Sequence, residues 1–226
     1  MKTKIYDFLN RPYMVLLTML IAPLFGFLDR NFVFFFGLGI GFLILWGSNF
    51  KWSTFGIGKK ITRNTIVKSL IITLLFFVGF SVIDPILQDY LGDFDLSSVD
   101  DIRGNFAGFF VLMIIMWVFA AFGEEFLFRG YYMKSLAELL GNSNKSWLLS
   151  AIITSVYFSV SHIYQGTVGV VSVFLWSLLI SLIFIKNRSN LLLLVLIHGF
   201  NDTIGLTLIY LNKDNFISEW AQQLFE

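Results

Sequence analysis

The sequence predicts an all-α fold, a polytopic bundle of transmembrane helices, and two observations carry that prediction. First, the chain of 226 residues is 57% hydrophobic and 18% aromatic, with a mean hydropathy of +0.77. That is more apolar surface than a soluble domain of this length can bury. Second, the apolar residues come in long continuous runs instead of strict alternation. In lipid only helices and closed barrels satisfy every backbone group, and continuous apolarity selects helices.

Seven runs approach the ~20 residues, or about 17 to 25, that cross a hydrocarbon core: 12–28, 31–46, 65–87, 106–123, 147–164, 167–185 and 191–211. The first follows Lys2, Lys4 and Arg11 in the manner of a signal peptide, but no small-residue cleavage site comes after it. It is therefore read as a retained helix. With the N-terminus inside, thirteen of the sixteen Lys and Arg residues fall on the inner side, leaving Arg30, Arg103 and Lys213 outside. In the tail, Phe216, Ile217, Trp220, Ala221, Leu224 and Phe225 fall at helical spacing, predicting an amphipathic helix on the outer surface. The expected organisation is one membrane domain over 1–226, with a core at 106–211 and an interfacial tail at 212–226.

Several stretches imitate motifs. Gly37 and Gly41 have the spacing that lets helices approach closely, read as packing within the bundle ahead of a dimer interface. Gly56, Gly58 and Lys59 lack the spacing of a phosphate-binding loop and read as a turn. The loop 88–105, with Asp89, Asp93, Asp95, Asp100 and Asp101, lacks the pattern of a calcium loop and reads as a solvated acidic segment. Asp84, before Pro85, is placed near the outer end of the third span. There is no Cys, which excludes disulfides, a thiol nucleophile and thiolate metal ligands. The net charge of +1 and the lack of a basic tract with interleaved aromatics give no sign of a nucleic-acid partner.

Ionisable groups at membrane depth are rare because each costs at least ~2.5 kcal/mol, and here they fall into three short clusters. Glu124, Glu125 and Arg129 form the first. No Pro occurs between Ala107 and Gly141, so one long helix is expected to run through Glu124 and stop at Gly141-Asn142. Position 143 is midway between Glu124 and His162, so an antiparallel hairpin would put both at one level, each ~27 Å from the turn at 1.5 Å per residue. Glu125 and Arg129 are i,i+4 partners on one face, while Glu124 lies ~100° round the helix. Phe158 and His162 share a face of the next helix, and His198 and Asp202 share a face of the last, with Asn201 ~100° from Asp202.

Glu124-Glu125-x-x-x-Arg129, Phe158-x-x-x-His162 and His198-x-x-x-Asp202, in this order on hydrophobic helices, resemble the three motifs of the CPBP (CAAX-processing and bacteriocin-processing, or Abi) intramembrane endopeptidases. The resemblance covers roughly 106–211. It implies an all-helical, often eight-spanning enzyme in which Glu124 and His162 activate a water. His198 and the residue at 202 would stabilise the oxyanion, and Glu125 with Arg129 would order the site, with Phe158 and Asn201 in support. The implied substrate is a peptide or lipidated protein, some members acting on prenylated CAAX proteins, and the implied setting is a multi-pass protein of a bacterial cell membrane in contact with lipid.

Position 202 departs from the commoner Asn of that family, and an ionised Asp cannot donate a hydrogen bond. Either Asp202 is protonated, or it orients His198, or the cluster binds metal. A zinc ion held by Glu124, His162 and His198 would suit two His and a carboxylate, but no H-E-x-x-H sequence is present. The metal-free glutamate mechanism, with no cofactor, is the favoured reading. A proton-coupled transporter would use the same residues as a relay, but no internal repeat links the two halves. A silent immunity or scaffold protein is the third alternative, and the intact Glu124, His162 and His198 argue against it.

Overall fold

The computed structural model describes residues 2–214, and within them the protein is all-helical, without strands. The amphipathic helix expected at 216–225 lies outside the described residues. The helices are α1 (Lys2–Leu9), α2 (Met14–Ile21), α3 (Arg30–Gly47), α4 (Arg63–Leu91), α5 (Phe106–Ile115), α6 (Lys134–Leu139), α7 (Asn144–Val160), α8 (Gly166–Lys186) and α9 (Leu191–Tyr210). A π-helical stretch, Met116–Met133, joins α5 to α6 in one continuous helix.

Each of the seven apolar runs is helical, but they do not make seven equal spans. Among the described residues, five helices are long and apolar enough to cross a membrane, or six if the bent pair Lys2–Leu9 and Met14–Phe27 is counted as one. That pair meets at 81°. The expected first span is shorter than a bilayer needs: its helical part is Met14–Phe27, α2 with a 3-10 continuation over Ala22–Phe27, against the ~20 residues of a full crossing. α7 has 17 residues, at the bottom of the spanning range of about 17 to 25. α4 runs to Leu91 through Pro85, which puts Asp84 two turns before its C-terminal end. There it accepts a hydrogen bond from Ser172 Oγ at 2.6 Å.

The chain divides into two compact units. The first comprises Met1–Lys60, Gly123–Thr154 and Ser181–Leu192, and the second Ile61–Phe122, Ser155–Ile180 and Leu193–Glu226. At the centre of the first is Phe126, stacked on Phe42 (5.0 Å) and on Phe55 (4.4 Å). Gly41 and Gly37 of α3 admit this packing, since a Cβ at Gly41 would lie 2.9 Å from the Phe126 ring and one at Gly37 would collide with Tyr132. Intramolecular packing thus accounts for the small-residue spacing. The segment after α3 turns at Gly56 (φ 80°). Its carbonyl accepts from Leu191 N (2.9 Å), and Gly58 N donates to Ser189 O (3.0 Å). The presumed turn is therefore pinned to the α8–α9 connection.

In the second unit, α4 begins with a capping box between Thr62 and Thr65, and Thr73 Oγ1 donates to Ile197 O of α9. Trp117 meets Phe200 edge-on (5.6 Å), and Phe109 stacks on Tyr210 (4.8 Å). The acidic loop is more than a solvated run: Arg103 donates twice to Asp214 (2.6 and 2.8 Å) and once to Asp100 (3.0 Å). These bonds hold the Asp214 carboxyl below its ordinary range, and Asp95 is held below its own by Ser97.

Candidate active site

The first motif lies in the π-helical stretch. The wider i→i+5 pattern is uncommon and concentrates at functional sites, and the α-helical count along this arm of the hairpin does not carry over to it. The turn itself falls where expected, with Gly141 at φ 95° and Asn142 at φ 56° closing the helix that ends at Leu139. Glu125 and Arg129 are both fully buried, at 0% and 1% exposure. Arg129 Nη1 donates to Glu125 Oε1 at 2.9 Å and Nε donates to Ser181 Oγ at 3.2 Å. A guanidinium so placed is charge-matched and geometrically fixed. Glu124 is only half-buried, and its charge also acts on Arg129.

His162 lies just beyond α7, not on it. The helix ends at Val160, and His162 opens a short 3-10 turn at φ −99°, ψ 17°. The reason is the usual deficit at a helix end, where the last carbonyls lack intrahelical donors. Phe158 O is supplied from two sides, by Ser161 Oγ (2.6 Å) and by His162 Nδ1 (2.9 Å). A carbonyl can only accept, so this contact calls for a ring that carries a proton on Nδ1. Phe158, 2% exposed, packs on the imidazole with ring centres 4.6 Å apart. Phe158 thereby holds the histidine twice, by its ring and by its carbonyl.

His198 is buried in α9, at 5% exposure. Its Nε2 is 3.3 Å from Asp202 Oδ2, one turn on, and Trp176 of α8 meets its ring edge-on at 4.7 Å. The contact has the geometry that a carboxylate orienting a histidine would need. Asn201 is half-buried beside it.

Two neighbours of the motifs escaped the sequence reading, Ser181 and Trp176. Both belong to α8, which had been read only as a span. The signal was the row Ser172, Ser177 and Ser181 in an otherwise apolar helix, all buried, since hydroxyls on a lipid-exposed helix gravitate to its inward face. Trp176 lies one turn from Ser172 on that face.

Glu124, Glu125 and Arg129 belong to the first unit, and Phe158, His162, His198 and Asp202 to the second. Among the described residues no group of three His, Asp or Glu side chains is placed to hold a metal ion.

Residues 106–204 match the family described as type II CAAX prenyl endopeptidase Rce1-like. The matched segment contains all three motifs and bears out the resemblance to the CPBP family. No curated protein and no solved structure matches the chain.

Proposed function

We propose, on the premise that residues 106–204 are those of an Rce1-like endopeptidase, that this multi-pass membrane protein hydrolyses a peptide bond of a CAAX-type substrate with a water activated by Glu124 and His162. The family implies a hydrolase acting on peptide or prenylated protein. The observation that carries the finer assignment is the unequal surroundings of the two adjacent glutamates. Glu125 is committed to a fully buried pair with Arg129, and separating such a pair costs about 3–5 kcal/mol. Glu124 is half-buried and in the proposed reaction is the carboxylate that meets the water.

In the proposed reaction Glu124 accepts one proton of the water while His162 Nε2 accepts a hydrogen bond from the other. The hydroxide so formed attacks the scissile carbonyl carbon, and the carbonyl oxygen becomes the oxyanion. Collapse of this intermediate breaks the C–N bond as the proton held by Glu124 passes to the leaving amine. His198 donates to the oxyanion from Nδ1 when its ring is protonated, because Nε2–H is engaged by Asp202. Glu125, Arg129 and Asp202 are positioning residues, and no step uses a metal.

The test is cleavage of a synthetic CAAX peptide, with and without a prenyl group, by the purified protein in H₂¹⁸O after thorough chelation. The expected result is one ¹⁸O in the new carboxylate and undiminished turnover. Activity lost on chelation and restored by zinc would replace this mechanism with a metal-assisted one.

A further inference from the structure

A second site lies in the first unit, away from the three motifs. The turn between α6 and α7 and the turn between α8 and α9 enclose an open cavity of about 510 Å³, within the ~300–1,000 Å³ typical of small-ligand sites. Its wall carries Lys134, Lys186 and Arg188 against one carboxylate, Glu138, with Trp147 and Asn187 beside them. The cations are not a loose surface cluster. Arg188 lies over the Trp147 ring at 4.2 Å and donates to Asn144 Oδ1 at 2.9 Å. Trp147 is itself fixed by its Nε1–H bond to Asn142 (2.7 Å) and by its contact with Phe184 (6.3 Å). Lys134 is anchored on Thr54 O. Lys186 ends α8 and is exposed.

All of these residues lie at helix ends on the side where the sequence concentrates Lys and Arg. A prearranged cationic cavity with a tryptophan at that level suits a phosphate at the headgroup layer. We infer that this groove binds a phosphate-bearing anion, supplied by the headgroup of an anionic phospholipid of the inner leaflet. The Arg188 guanidinium and Lys186 ammonium neutralise the phosphate, and the Asn187 amide meets headgroup hydroxyls. The site is independent of the peptidase assignment.

The experiment is native mass spectrometry of the full chain in detergent with phosphatidylglycerol or phosphatidylcholine of identical acyl chains. Phosphatidylglycerol should be retained preferentially. A surface charge is worth about 1 kcal/mol toward an anionic lipid, which is about fivefold in affinity. Lys186→Gln should therefore weaken retention about fivefold, and Lys186→Gln with Arg188→Gln on the order of 30-fold. Lys59→Gln with Lys60→Gln, which removes two charges outside the groove, should leave it unchanged. If the double groove variant unfolds on a thermal scan, the single Lys186 variant decides. Equal retention of the two lipids, or an equal loss in the Lys59/Lys60 variant, overturns the site. Displacement of phosphatidylglycerol by equimolar inorganic phosphate overturns the lipid as its source.

Discussion

At the scale of single residues, the two glutamates and Asp202 carry the sharpest expectations. Glu125→Ala removes the carboxylate that is hydrogen-bonded to the buried Arg129, and unfolding in detergent should show a loss of about 3–5 kcal/mol. Glu124→Ala removes a half-buried group outside that pair and should unfold like the parent while losing turnover. An equal stability loss in both variants would mean that the glutamates share one structural role. Asp202→Asn keeps the size but not the charge of the group that faces His198 Nε2. It should impair turnover nearly as much as Asp202→Ala, by about 10²-fold, because oriented donors act through the group that fixes them. An Asn variant as active as the parent would make residue 202 a direct oxyanion donor. The pairs Glu125–Arg129 and His198–Asp202 were legible from i,i+4 spacing alone. The protonation of His162 at Nδ1 was not, because it depends on α7 ending two residues earlier, which no local residue pattern announces.

At the scale of elements, turns were more legible than helix interiors. Gly141-Asn142 marked the end of the long helix correctly, since left-handed backbone favours those residues. The π-helical stretch left no sequence signal, as its apolar residues fit a wide helix and an α-helix alike. Gly56 reads as an ordinary turn glycine, yet a Cβ there would meet Phe184 at 2.7 Å and Arg188 O at 2.9 Å, at φ 80°. Gly56→Ala should destabilise by about 1–3 kcal/mol, whereas Gly79→Ala, in α4 with open space around it, should be neutral or mildly stabilising. Denaturant unfolding of the two variants separates them. The Arg103–Asp214 contact ties the α4–α5 loop to the end of α9. Asp214 is depressed below the ordinary aspartate value, ~3.9. Its stabilisation is therefore full above that value and is lost as pH falls through the folded-state value. Asp214→Asn should lower the melting temperature at pH 7, and its effect should shrink as the pH falls below the ordinary aspartate value.

At the scale of the whole molecule, composition alone disclosed a membrane-embedded helical protein, and the order of three motifs pointed to the family that residues 106–204 match. The number of spans was harder to read, because hydropathy records how long an apolar run is but not that the chain bends by 81° before Met14 or that α7 stops at Val160. Composition likewise cannot show that the motifs fall in two units of the fold. The central claim is that Glu124 and His162 act on one water. A kinetic double-mutant cycle tests it most directly, with kcat/KM for one CAAX peptide measured for the parent, Glu124→Gln, His162→Asn and the double variant. Each single change should cost about 10²–10⁴-fold, the range of a general base. Groups that act as a unit are grossly non-additive, so the double variant should be no slower than the slower single one. A double variant slowed by the product of the two separate losses would show that Glu124 and His162 act independently, and would contradict the account.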